Sequence, residues 1–323
     1  MNSAHQGLKG YQYSMKCVLQ VSGEDAQSFL QSQFSNDLSD AQPFSSIYGL
    51  WLNVKGRVLA DSHIILQSKN CYLILSEFTE GSFIKDMLKK HIIADDVEVE
   101  AIESYGAISL NQPEPEDALR YLGIGAIIDN GNIHSDDSIG VIFRSQRFEG
   151  NSTDYCFLDK EVSEEFALFI VSNSDPSKGG INLIGENEMH LNRIELGSPL
   201  VPKEIGPGDL AAEGGFVPSC VSLTKGCYLG QEVVARLHHL GKCQRQLYAI
   251  SLEPIEGSSD SLELPLSIEY EGRAIGQLRS VYNAEGLSPN KVGVALVKVR
   301  YLDVFKESIQ LRGYGLNLIK ALG

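Results

Sequence analysis

Basic residues are scarce in this chain: Lys and Arg number 27 against 42 Asp and Glu, which leaves a formal net charge of −15 at pH 7. A surface this acidic repels a phosphate backbone unless its cations are gathered in one place, so direct RNA binding is not expected. The densest gathering runs from Arg236 to Arg245, with Arg236, Lys242, Arg245, His238 and His239. It is small, and suits a solvated segment or an anion contact. Long apolar runs are also missing. No stretch reaches membrane-spanning length and no N-terminal segment joins basic residues to an apolar core, so a cytoplasmic protein without membrane attachment is expected. Phosphate-cradling signatures are absent as well. Gly123-Ile124-Gly125-Ala126-Ile127-Ile128 lacks the third glycine of a dinucleotide fingerprint, and no G-x-x-x-x-G-K-[ST] occurs. The six cysteines, at 17, 71, 156, 220, 227 and 243, form no C-x-x-C pair and read as reduced thiols. Cys220, Cys227 and Cys243 with His238 and His239 match no usual zinc spacing, so no metal site is expected.

What is present is enough apolar material for conventional cores, 43% of 323 residues, in a length that suits two or three domains. A strand at Cys17 to Val21 leads through Ser22-Gly23-Glu24-Asp25, where Ser22 reads as an N-cap, into a short helix through Phe29 and Leu30. Ser46 to Asn53, a turn at Lys55-Gly56 and Arg57 to Leu66 read as a hairpin. The strand Cys71 to Leu75 feeds a helix marked by Phe83, Ile84, Met87, Leu88 and His91 at helical spacing. A similar order returns downstream: a strand at Ala107 to Leu110, a helix around Asp117 to Leu122, strands at Gly140 to Phe148 and Tyr155 to Leu158, and a helix from Ser163 to Val171. Two passes of this kind indicate a duplicated α+β unit rather than a doubly wound sheet.

From Asp175 to Pro218 glycine and proline are dense around a helix at Asn187 to Gly197, the composition of a segment that lines a site. Beyond Gln246 short strands recur at Leu247 to Leu252, Leu266 to Tyr270, Ala274 to Val281, Lys291 to Val299 and Ser308 to Leu311. Turns such as Glu271-Gly272 and Glu285-Gly286 separate them, which gives a small antiparallel barrel. The expected division is therefore 1–105 for a first α+β lobe, 106–244 for a second lobe with the glycine-rich region, and 245–323 for the barrel.

The run Lys225-Gly226-Cys227-Tyr228-Leu229-Gly230-Gln231-Glu232, with Arg236 following, is the most informative feature of the chain. It places a thiol between glycines, beside a lysine and ahead of a helix, where ammonium and helix N-terminus both favour thiolate. Its order, K-G-C-Y-x-G-Q-E, resembles the signature of the bacterial YgfZ proteins, folate-binding relatives of the glycine-cleavage T-protein tied to iron–sulfur cluster maintenance and tRNA modification. The resemblance implies a T-protein-like α+β fold: two ferredoxin-like α+β lobes, which exchange N-terminal segments, and a C-terminal antiparallel β-barrel around a central opening. It implies tetrahydrofolate or a derivative as cofactor, and iron–sulfur enzymes or cluster-assembly proteins as partners. Within the run Cys227 is the expected functional thiol, activated by Lys225. Gly226 and Gly230 give backbone access, Tyr228 packs the loop, Gln231 completes the motif, and Glu232 and Arg236, four apart on a helix, form an ion pair.

Asn192-Arg193-Ile194-Glu195-Leu196-Gly197-Ser198-Pro199 looks like the R-x-E-x-G-x-P stretch of T-protein relatives, which marks Arg193 and Glu195 as cofactor-binding. A carboxylate at Glu195 offers two acceptor oxygens to the adjacent donors of a pterin ring. Met189 stands where bacterial relatives carry a folate-associated tryptophan, and Trp51, the sole tryptophan, is the candidate to replace it. The strand Arg57-Val58-Leu59-Ala60-Asp61 retains only the second of the paired acids that T-protein enzymes carry. The expected function is a folate-binding accessory protein for iron–sulfur clusters that affects tRNA thiolation indirectly. The alternative is a tetrahydrofolate-dependent one-carbon transferase or demethylase of the T-protein type, and whether the chain turns over a substrate stays open between them.

Overall fold

The computed structural model describes residues 8–41, 46–112, 128–129, 132–133, 140–150, 152–173, 180–217, 219–241, 243–255, 262–284, 291–306 and 309–323. The chain forms two compact units. Unit 1 is Met1–Gln33, Asp37–Gly49 and Ser62–Met189; unit 2 is Phe34–Asn36, Leu50–Asp61 and His190–Gly323.

The strands up to Leu183 are β1 (Lys9–Tyr13), β2 (Cys17–Ser22), β3 (Ser46–Leu52), β4 (Val58–Ser68), β5 (Cys71–Ser76), β6 (Glu98–Ala101), β7 (Ala107–Leu110), β8 (Ile128–Asp129), β9 (Asn132–Ile133), β10 (Gly140–Ser145), β11 (Ser152–Phe157) and β12 (Asn182–Leu183). Helices α1 (Ala26–Gln33), α2 (Gly81–Lys89) and α3 (Lys160–Asn173) are set among them. One five-stranded sheet has the order β3-β4-β5-β2-β6 and the other β10-β11-β7-β1-β12. The far ends of β3 and β4, with the turn between them, belong to unit 2.

The second sheet takes its strand β1 from near the start of the chain and pairs it antiparallel with β7, Gly10 opposite Leu110. Each strand follows its local pattern. β4 alternates buried and half-buried positions from Val58 to Ile64, whereas β5, a continuous apolar run, is buried from Tyr72 to Ser76. The two sheets of unit 1 meet through Val18, Ile65, Leu73 and Leu75 on one side and Ala107, Val141, Phe143 and Cys156 on the other. The opposite face of the second sheet is covered by α3 through Phe166 and Ile170.

Two local expectations are corrected. Ser22 is the last residue of β2 rather than a helix cap, because the chain must first turn at Gly23, whose φ is +129°. A Cβ on Gly23 would stand 2.0 Å from the carbonyl oxygen of Asp96, so only glycine fits. Helix α1 accordingly starts at Ala26. His91 falls beyond the end of α2 at Lys89. The helix expected at Asp117 to Leu122 and the turn at Glu285-Gly286 lie outside the described residues.

In unit 2 the barrel-like sheet comprises β13 (Arg245–Pro254), β14 (Leu266–Tyr270), β15 (Arg273–Asn283), β16 (Lys291–Lys298), β17 (Ile309–Leu311) and β18 (Tyr314–Ala321), in the order β14-β15-β16-β13-β18-β17. Every pairing in it is antiparallel. It is nearly closed and filled by Ile250, Leu252, Leu278, Val297, Phe305 and Leu316. β18 is not among the expected strands, since its alternation of Tyr314, Leu316 and Leu318 with Gly315 and Asn317 ends at Ile319 and Lys320. Helix α4 (Glu186–Leu196) runs from unit 1 into unit 2, and α5 (Gln231–Leu240) follows the Cys227 loop.

Candidate functional site: two presenting segments of unit 2

Helix α4 ends at Gly197 in a left-handed turn with φ +82°. The amide of Gly197 donates to Ile194 O at 3.0 Å and that of Ser198 to Arg193 O at 2.8 Å. This is a Schellman termination, which accounts for the glycine of the R-x-E-x-G stretch by backbone geometry alone. Two residues on a helix lie about 200° apart, so Arg193 and Glu195 face opposite ways.

Arg193 faces inward, and all five of its N–H groups are engaged. Nε donates to His190 Nδ1 at 3.0 Å, one terminal nitrogen to Ser198 O at 3.0 Å and Glu204 Oε2 at 2.8 Å, the other to Glu204 Oε1 at 2.6 Å and the Tyr282 hydroxyl at 2.9 Å. A guanidinium has no further donor. Glu204 is fully buried and also accepts from the Leu200 amide and the Ser280 hydroxyl. Burial and the Glu204 charge hold the Tyr282 phenol above its ordinary pKa, so it remains a neutral donor.

Three of the four expected cofactor residues therefore have structural roles. Arg193 has no N–H left for a ligand. Met189 is 3% exposed and packs in unit 1 with Tyr11, Phe148 and Ile184. Trp51 is 1% exposed, its ring 4.9 Å from that of Phe34 in unit 2. Glu195 differs: it is exposed, and its carboxylate has no hydrogen bond or ion pair among the described residues. Its donor-free carboxylate fits the N–H pair of a pterin ring, whereas the other three residues do not.

The Cys227 loop is built on a brace made of Phe34–Asn36. The Ser35 hydroxyl, fully buried, donates to Cys220 O and accepts from the Leu50 amide, both at 2.8 Å. The Ser222 amide donates to Ser35 O at 3.0 Å. Lys225, buried in turn, donates through Nζ to Phe34 O at 2.6 Å and Asn36 O at 2.7 Å, with the ammonium 5.0 Å from the Tyr228 ring centre. The Tyr228 hydroxyl donates to Ser222 O, and the Gln231 side-chain amide to Lys225 O, both at 3.2 Å. Burial pushes the Tyr228 phenol up to about 12.

Gly230 has φ +85°, and a Cβ there would stand 2.6 Å from Asn53 O. Gly56, at the tip of the β3–β4 hairpin, would place one 2.9 Å from Val233 Cβ. The hairpin turn thus packs directly on the start of α5, and both glycines are required by close approach. Lys225 is a clamp on two backbone carbonyls. Cys227, two residues on, is exposed.

The expected ion pair between Glu232 and Arg236 does not form. Both side chains are exposed, and neither makes a hydrogen bond or ion pair among the described residues. Two long side chains on an open helix face lose more rotamer freedom than a screened pair returns.

The other thiols are buried or half-buried, whereas Cys227 is exposed. Burial pushes Cys17 and Cys156 up to about 12 and Cys220 to about 11, and raises Cys243. No group of three or more His, Cys, Asp and Glu among the described residues is placed to hold a metal ion.

A buried constellation in unit 1 escaped the sequence reading. Asp154 accepts from the Ser109, Ser145 and Tyr13 hydroxyls at 2.6, 2.7 and 2.6 Å and from Arg147 Nε at 2.8 Å. Arg147 also pairs with Glu77 at 2.7 Å and lies 4.0 Å from the centre of the Tyr13 ring. The only hint was polar residues at inward strand positions, since Asp154 and Ser109 are direct cross-strand partners. Four donors saturate the carboxylate, so the cluster ties strands together.

A chain whose sheets and six-stranded barrel are arranged in this order has an aminomethyltransferase T-like fold. The fold aligns with aminomethyltransferase T of the glycine cleavage system from Bartonella henselae at a TM-score of 0.67, covering 97% of this chain and 85% of that one at 18% identity. The GCVT N-terminal domain model matches residues 10–133. An iron-sulfur cluster assembly factor IBA57 homolog from Cryptococcus neoformans is 26% identical over 84% of this chain and 80% of its own length. The tRNA-modifying protein YgfZ of Colwellia psychrerythraea is 25% identical over 83% and 79%. The chain is thus similar over most of its length to both IBA57 and YgfZ proteins. Among the described residues no helix is long and apolar enough to cross a membrane.

Proposed function

We propose that this protein supports iron–sulfur cluster assembly or repair in client proteins, with an indirect effect on tRNA thiolation, and that it binds tetrahydrofolate or a derivative through Glu195. The observation that carries the reading is the Cys227 loop: a self-tied, internally clamped segment whose thiol is exposed while Cys17, Cys156 and Cys220 are buried. Such a thiol can offer a sulfur ligand to iron in a client's cluster, or attack a client disulfide. The names of the relatives, assembly factors and tRNA-modifying proteins, agree with that chemistry. The transferase alternative is weaker, because Ala60, fully buried, stands where it requires a carboxylate.

Calorimetric titration of tetrahydrofolate into the wild type and Glu195→Ala tests the ligand. Saturable binding lost in the variant is expected. Equal binding by both, or none by a folded wild type, removes folate at Glu195 from the account.

A further inference from the structure

The end of β18 is fastened to the end of α4. The Gly323 amide donates to Gly197 O at 2.8 Å and the Leu322 amide to Leu247 O at 3.0 Å, with the Leu322 side chain fully buried. Gly323 has φ +97°, and a Cβ there would stand 2.3 Å from the Cα of Gly215. Backbone meets backbone on both sides of that residue, so the segment has one seat. In that seat Lys320 is exposed, and its ammonium donates to the carbonyl oxygen of Glu195.

Helix α4 does not need this contact to end. Its own turn at Gly197 and the Arg193–Glu204 pair already terminate and anchor it, and a lysine at an exposed helix C-terminus adds only modestly to stability. What the contact does is hold a cation beside the residue that presents the carboxylate. The two charges are not spent on each other: among the described residues the Glu195 carboxylate has no ion pair, with Lys320 or otherwise. An ammonium has three N–H groups, and the Glu195 carbonyl takes one.

The pair therefore offers two acceptor oxygens and, from the same residue's backbone, spare donors. The ligand edge that fits is two adjacent donors followed by an acceptor: an amino group, a ring N–H and a carbonyl oxygen. A 4-oxo pterin carries that edge. A 4-amino pterin presents a donor where the ammonium also donates, and is rejected. Leu196 and Ile319, next in the chain to Glu195 and Lys320, are 39% and 51% exposed, each an apolar side chain left open to a flat ring.

We propose that Lys320 is a specificity-determining residue of the Glu195 site: it donates to the 4-oxo group of a pterin whose amino and N–H donors the carboxylate holds, and so selects 4-oxo over 4-amino pterins. This rests on the folate reading above.

The test is anaerobic calorimetric titration of the full chain with tetrahydrofolate and with tetrahydroaminopterin, which carry the 4-oxo and the 4-amino group. The wild type should bind tetrahydrofolate about tenfold more tightly or better, the worth of one charged hydrogen bond. Lys320→Met should lose about tenfold for tetrahydrofolate and little for the 4-amino compound, so that the preference collapses. Lys320→Arg, which keeps a charged donor, should retain it. Circular dichroism confirms that both variants are folded. An undiminished preference in Lys320→Met overturns the proposal and leaves folate at Glu195 in place. So does an equal loss for both ligands, which marks a lysine that only steadies α4, and so does a wild type that binds both ligands alike. A folded wild type that binds neither removes the folate reading and this proposal together.

Discussion

Helix α4 and the Cys227 loop solve one problem with different materials. In each a buried cation stands two residues ahead of an exposed functional candidate, Arg193 before Glu195 and Lys225 before Cys227. The helix achieves the outward turn by its pitch, so the Arg193–Glu204 pair fixes the end of a regular element. The loop has no pitch to rely on, and its geometry is imposed by the Lys225 ammonium on Phe34 O and Asn36 O and by two glycines in close contact. The cations also differ in partner. Arg193 neutralises a buried carboxylate; Lys225 satisfies neutral carbonyls. The presented residue is in both places exposed, while its anchoring cation is buried.

The largest expected effect breaks the helix side of this comparison. Arg193→Met leaves Glu204 buried without its counter-ion and should cost about 3–5 kcal/mol in denaturant unfolding. Lys225→Met leaves two carbonyls short of a donor, a loss of about 1–3 kcal/mol. Glu195→Ala and Cys227→Ala should stay within about 0.5 kcal/mol of the wild type. A Lys225 variant as damaging as the Arg193 variant would mean that the two anchors do not differ in kind.

Acid stability sharpens the contrast by locating a sensitivity outside both segments. His63 in unit 1 lies between the rings of Tyr48 and Phe143, each 5.0 Å away, with Nδ1 2.6 Å from the Ser46 hydroxyl. Burial lowers its pKa to about 4. Below its unfolded pKa of about 6.5 the unfolded chain binds the proton that the folded chain refuses, so stability falls as pH drops from about 6.5 toward 4, by about 2–3 kcal/mol. Thermal unfolding of His63→Gln across that range should show a flatter acid limb than the wild type. Parallel profiles would remove His63 as the cause.

Much of the fold was legible because its signals are local. The β3–β4 hairpin, β5, β7, α4 and most barrel strands follow from alternation and turn residues at their observed places. The capping role of Ser22 failed because a backbone approach to Asp96 O, 73 positions away, decides where α1 begins. At the site, motif order marked Cys227 and Glu195, but spacing could not separate a presented residue from an anchoring one. Arg193 and Lys225 read as ligand-binding and activating groups until Glu204, Tyr282 and Asn36 were placed against them. Those partners lie 11, 89 and 189 positions away, and nothing in the local sequence announces them. The same holds for Asp154, whose donors are gathered by strand pairing.

The central claim is that the Cys227 loop exists to present its thiol to iron–sulfur clients. Complementation of cells lacking this protein, with wild type or Cys227→Ser at matched levels, tests it most directly, with thiolated tRNA nucleosides and an iron–sulfur enzyme activity as readouts. The account predicts that the variant folds and accumulates normally yet restores neither. Full restoration by Cys227→Ser would contradict it.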